Sequence, residues 1–124
     1  MWTFQQSTGL VIDPNGNPMD TPPPGYSGNT TGKNNPDAQD QHDVGPLPRG
    51  RYTIGPVYTS PKCGPLTMNL EPDPGNQMFG RNAFRIHGDS IAAPGTASDG
   101  CIIQNHNTRL EISLSADRNL EVVE

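Results

Sequence analysis

Long apolar runs are missing from this 124-residue sequence. No strictly apolar stretch exceeds three residues, the length of Leu10-Val11-Ile12, so nothing in it spans a membrane as a helix. Large apolar side chains are also scarce. Leu, Ile, Val and Phe supply only 22 residues, a content that borders on disordered chains. Charge does not reinforce that reading, because the net value of −5 is modest. Basic residues number 8 against 13 acidic ones, which argues against a nucleic-acid partner. Heptad and solenoid periods are absent. The opening Met1-Trp2-Thr3-Phe4 has neither a basic n-region nor an apolar h-region, and predicts cytoplasmic synthesis without a signal peptide. A chain of this length forms one domain, residues 1–124, with a small core.

What the sequence has instead is backbone punctuation, with 14 Gly and 14 Pro. Residues 13–50 hold 8 of the Pro and 6 of the Gly, yet from the Ile, Leu, Val, Phe, Tyr and Trp set only Tyr26, Val44 and Leu47. That segment cannot build its own core. It reads either as a surface excursion or as a lid over a site. The remainder reads as short strands. Trp2–Gln6 and Leu10–Ile12 flank a hairpin turn with Gly9 in the left-handed position. Arg51–Tyr58 is rich in β-formers, interrupted by Gly55-Pro56. Leu66, Met68 and Leu70 alternate with polar neighbours. Phe84 and Ile86 alternate with Arg85 and His87. Leu120, Val122 and Val123 end the chain as a strand. Residues 107–118 favour a short helix capped at Asn107 or Thr108, with Leu110 and Leu114 on one face. The expected fold is mainly β with minor α, a small sandwich or barrel with one or two helices.

Two residues carry reactive chemistry. Cys101 lies in Ser98-Asp99-Gly100-Cys101-Ile102, and His87 in Phe84-Arg85-Ile86-His87-Gly88-Asp89-Ser90. A free thiol is only slightly ionised at neutral pH, so a neighbouring imidazole is needed to take its proton. The peptide groups of Asp99-Gly100-Cys101 are candidate donors to an acyl oxyanion. On spacing alone this pair is a weak signal, since a free Cys is commonly a small buried hydrophobe. The flanking polar and glycine residues strengthen it. Cys63, in Ser60-Pro61-Lys62-Cys63-Gly64-Pro65, reads as incidental. A Cys63–Cys101 disulfide is allowed by count but would consume the nucleophile. His42 and His106 read as solvated. Phosphate-loop, calcium-loop and zinc spacings all fail, so no metal and no cofactor is expected.

These motifs resemble a known group. His87-Gly88 followed by Ser98-Asp99-Gly100-Cys101-Ile102 is similar to the signature of YkuD-type L,D-transpeptidases. Gly45-Pro46-Leu47-Pro48-Arg49-Gly50-Arg51-Tyr52-Thr53-Ile54 resembles the opening of a strand in that family. Papain-like and NlpC-like thiol hydrolases place Cys before His, whereas here His comes first. With Gly25-Tyr26-Ser27-Gly28 and Gly32-Lys33-Asn34-Asn35-Pro36, the whole chain resembles the DUF2778 family, which includes the Tlde-type effectors of type VI secretion.

The resemblance implies a YkuD-like fold and an antibacterial activity on peptidoglycan stem tetrapeptides. Cys101 would attack, His87 would be the base, and the Gly88 carbonyl would orient the imidazole. Amides around Asp99 and Gly100 would hold the oxyanion. D-Ala would leave, and water, a D-amino acid or a second stem would resolve the thioester. The family's Arg two residues after the Cys is replaced by Ile103, which leaves the acceptor open. Arg109 either binds a substrate carboxylate or is a surface Arg at a helix start. Ser98 either bonds to His87 or substrate, or shapes the turn. Tyr26 and Asn34 are candidates for lid contacts with the glycan or stem. The implied partners are the type VI machinery and a cognate immunity protein, with action in the target-cell periplasm. Two other classes compete: a non-catalytic cell-wall or partner-binding module, and a thiol peptidase of other amides.

Overall fold

A computed structural model describes residues 1–124. Eight strands form one sheet: β1 (Trp2–Gln5), β2 (Leu10–Ile12), β3 (Tyr26–Ser27), β4 (Gly50–Ser60), β5 (Gly64–Pro72), β6 (Phe84–His87), β7 (Ile102–Ile103) and β8 (Asn119–Val123). One helix, α1 (His106–Leu114), precedes β8. The strand order is β2-β1-β8-β4-β5-β6-β7-β3. The sheet curls into a nearly closed barrel, and its two ends approach at the β1–β2 turn. There Gly9 packs against Gly25, and Gln104 Nε2 donates to Gly9 O at 2.9 Å. Gly9 has φ +73°, which suits the residue without a Cβ in this hairpin turn. No helix is long and apolar enough to cross a membrane.

Alternation in the sequence becomes burial in the barrel. Trp2 and Phe4, Tyr52 and Ile54, Met68 and Leu70, Phe84 and Ile86, and Leu120 and Val122 all point into one core. Ile102 from β7 and Ile112 from α1 complete its centre, together with Val11 and Leu47. Each of the larger side chains contributes roughly 1.5–3 kcal/mol by leaving water. The Gly55-Pro56 interruption is a bulge: Ile54 pairs with Leu70 and Val57 with Met68, so two residues face one. Arg118 Nη2 donates to Gly55 O at 2.6 Å and covers the freed carbonyl.

The helix forms where expected, but its cap and its buried face differ. Asn105, not Asn107 or Thr108, is the N-cap, and its side chain accepts from the Thr108 amide. The buried residues are Thr108, Arg109 and Ile112, while Leu114 is 75% exposed. Asn105 Nδ2 also donates to Thr21 O at 2.6 Å and Pro23 O at 3.1 Å. Asn105→Ala therefore loses a cap and a loop tether together. We expect a destabilisation of about 1–2 kcal/mol, read as a lowered denaturant midpoint with an unchanged slope.

Residues 13–50 are no free excursion. Their middle contributes β3, antiparallel to β7, and Leu47 is fully buried in the barrel. Two 3-10 turns, Thr30–Gly32 and Pro36–Ala38, bring Ala38 against Gly45. Ser27 Oγ accepts from Leu47 N and donates to Gly100 O, both at 2.9 Å. The segment lacks a core because it borrows the barrel's, and it buttresses the loop before Cys101.

Candidate functional site

Strands β6 and β7 run parallel, with Ile86 beside Ile102 and His87 beside Ile103. Ile86 and Ile102 enter the core, so period-two alternation turns Arg85, His87 and Cys101 to the other side. That side is a cleft of about 670 Å³ lined by His87, Cys101, Cys63, Lys62, Arg81, Arg85, His42 and Asp43, among others. The sequence separates His87 from Cys101 by fourteen positions; the parallel pairing returns both to one wall.

The imidazole is held by its own loop. His87 Nδ1 lies 2.8 Å from Gly88 O. A carbonyl only accepts, so Nδ1 carries the proton and Nε2 holds the lone pair. Burial lowers the His87 pKa from its usual 6.5, the Gly88 hydrogen bond opposes this, and the charges of Arg109 and Arg85 add to the lowering. Burial also raises the Cys101 thiol above 9.0, against the Arg85 backbone amide directed at it. At neutral pH the site therefore rests as neutral thiol and neutral imidazole.

The remaining residues singled out from sequence fall into supporting roles. Ser98 is fully buried: its Oγ donates to Cys101 O at 2.6 Å and accepts from Gly28 N at 2.9 Å and Gly100 N at 3.1 Å. It shapes the turn and does not bond to His87. The same contact corrects the expectation for Gly100, whose amide is committed to Ser98 and is not free for an oxyanion. The amides of Asp99 and Cys101 carry no such bond. Gly100 has φ +138°, and an added Cβ would lie 2.5 Å from Arg81 Nη2 and 2.6 Å from Phe84 Cε1. Only glycine fits there.

Arg109 is buried at 9% exposure, with Nε donating to Gln104 O at 3.0 Å and Nη1 to Pro65 O at 2.7 Å. Its guanidinium packs beneath Gly88, where a Cβ would meet Nη2 at 2.8 Å. It is neither a surface residue nor part of the cleft lining. Tyr26 is also buried away from the cleft. Its hydroxyl donates to Asp89 Oδ1 at 2.6 Å and accepts from Ala97 N at 2.9 Å, which clamps both ends of the loop between His87 and Cys101. Burial and the bond to Asp89 push its pKa up to about 12. Asn34 Oδ1 accepts from Ser27 N at 3.1 Å and stays within its own segment.

The sequence reading does not single out several residues of the cleft, Arg81, Cys63 and His42 among them. Arg81, 6% exposed, donates to Gln39 O, Pro46 O, Gly45 O and Asp99 O at 2.7–3.1 Å. Nothing in Gly80-Arg81-Asn82 marks it for burial. Cys63, read as incidental, lines the same cleft as Cys101, with Arg85 Nη1 at 3.6 Å from its sulfur. His42 is exposed as expected, but it stands on the cleft wall with Nε2 at 2.7 Å from Phe79 O.

Fold and cleft together define a small, mainly β protein with a cysteine–histidine cleft at the ends of two parallel strands. Within that class the chain belongs to the Tlde1 domain family, whose family model matches residues 23–123. Membership places it in a type VI secretion effector family, with the antibacterial-toxin context and an immunity partner that this implies. Comparison with curated proteins and with solved structures gives no match.

Proposed function

We propose that the protein is a thiol acyltransferase or hydrolase of the L,D-transpeptidase kind, acting on peptidoglycan stem tetrapeptides. The observation that carries this is the shared cleft: Cys101 and His87 both line it, and the His87 tautomer leaves Nε2 free as a base. Cys101 Sγ attacks the carbonyl between the third and fourth stem residues while its proton passes to His87. The C–N bond then breaks, the proton goes to the departing amine, and D-Ala leaves. Water, taken in with His87 again as base, gives a carboxylic acid and restores the thiol; a D-amino acid gives exchange instead. The unbonded amides of Asp99 and Cys101 are the oxyanion donors in this scheme. Delivery by a type VI apparatus brings the protein to the target-cell periplasm, where this substrate lies.

Incubation with purified tetrapeptide muropeptides tests the reading. Release of D-Ala, or incorporation of a labelled D-amino acid, is expected; stable binding without turnover would point to a wall-binding module.

The neutral resting pair also sets a pH profile. Protonating His87 removes the base, so kcat/KM is expected to fall on an acid limb with its midpoint below 6.5. From about pH 7 to about pH 9 the profile stays flat, because burial holds the thiol protonated there. A preformed thiolate–imidazolium pair would instead lose activity as its imidazolium deprotonates. The fold prefers a neutral His87, so stability from this group is present above pH 6.5 and declines as pH falls below it.

A further inference from the structure

Arg85 stands next to the nucleophile on the adjoining strand. Its backbone amide is directed at the Cys101 thiol, and its Nη1 contacts Cys63 Sγ at 3.6 Å. A guanidinium has five N–H donors, and here the side chain meets one weak sulfur acceptor and no carboxylate. The ion pairs of the fold lie elsewhere, between the Met1 amine and Asp117 and between Arg51 and Glu121. Lys62, on the same rim, makes no side-chain hydrogen bond and no ion pair. Arg81 differs, since its donors are taken by four carbonyls. The cleft's acids, Asp43, Asp89 and Asp99, form no ion pair with either cation. Asp89 is held by Tyr26 and Gly95, and Asp99 Oδ1 faces Asn29 Nδ2 at 3.3 Å.

Two unpaired cations beside a nucleophile call for an anion, and a planar fork favours a carboxylate. We infer that Arg85, aided by Lys62 at the rim, is a subsite for a carboxylate of the acyl donor, seated on the Cys63 side of Cys101. The inference rests on the proposed stem-peptide reading and deepens it. It assigns to β6 the substrate anchor that Arg109, turned beneath Gly88, does not provide. The carboxylate has two sources: the terminus of the leaving D-Ala, or the side chain of the third stem residue.

The test uses the Cys101→Ala protein, so that binding is read without turnover. Calorimetric titration with a free stem tetrapeptide is compared with two analogues, one amidated at the terminus and one at the third residue. Amidating the recognised carboxylate is expected to weaken binding about tenfold or more. The arm that shows the loss identifies the source. Adding Arg85→Gln should produce a similar loss with the free peptide and make binding insensitive to amidation, while Arg85→Lys restores part of it. Lys62→Gln should cost only a few-fold and in a salt-dependent way. The amidation arms leave Arg85 intact, so they stand even if Arg85→Gln folds poorly. Equal affinity for all three peptides overturns the inference and leaves the functional reading in place. Binding of none of them overturns both.

Discussion

Cys101→Ala is expected to reduce D-Ala release from tetrapeptide muropeptides to background, a fall of about 10³-fold or more. The thiol forms the bond to the acyl group in the proposed scheme, and no other nucleophile occupies its place next to the turn held by Ser98. Cys63 lines the same cleft but stands off beside the Arg85 guanidinium, at 3.6 Å. His87→Ala should cost nearly as much in this scheme, because a thiol pushed above 9.0 by burial then lacks the base on the adjoining strand. The two changes are not expected to add, since each removes the same step. Cys101→Ala alters little volume, so its melting temperature should stay near that of the parent. A variant with activity retained after both substitutions would remove the pair from the chemistry. A variant that loses activity together with its melting transition would be uninformative about Cys101, and Cys101→Ser then serves as the isosteric control.

The second large effect is expected at a residue that takes no part in the reaction. Arg81→Met removes four hydrogen bonds at once and strips the buried carbonyls of Gly45 and Pro46 of their donor. Bonds from a charged donor are strong, and orphaned buried acceptors are costly, so the loss should be roughly 3–5 kcal/mol. Chemical denaturation would read this as a large drop in midpoint. Arg81→Lys should not rescue it. One ammonium cannot reach carbonyls from residues 39, 45, 46 and 99 in the fork that the guanidinium spans. In the fraction that remains folded, turnover should also fall, because the Asp99 carbonyl is part of the turn before Cys101.

The sequence displayed the barrel better than it displayed the site. Pairs such as Phe84 and Ile86 or Met68 and Leu70 announce which face is buried, because a strand repeats every two residues. His87 and Cys101 stand out in the sequence for a different reason, since glycine and small polar neighbours are unusual around core residues; the pairing of β6 with β7 sets both on one cleft. The supporting shell was not legible, because its partners are distant in the chain. Tyr26 resembles a substrate contact until Asp89 and Ala97 are seen on either side of its hydroxyl. For Arg109 the sequence offers surface or substrate, and burial under Gly88 is neither. Residues 13–50 look coreless because Leu47, their member of the main core cluster, enters a core made by other strands. The helix cap slipped by two positions since Asn105, Asn107 and Thr108 are all competent caps, and tethering to Thr21 and Pro23 decides among them.

The barrel's seam bears on how the molecule reaches its native state. β1 pairs in parallel with β8, so residues 2–5 wait for residues 120–123 before they find a neighbour on that edge. Closing so long a loop is slow relative to local pairing, and a nascent chain exposes Trp2 and Phe4 until residues 120–123 are made. The strands that carry His87 and Cys101 are already available by then. The order of events is therefore that the reactive wall can assemble first, while the seam that encloses the core closes last.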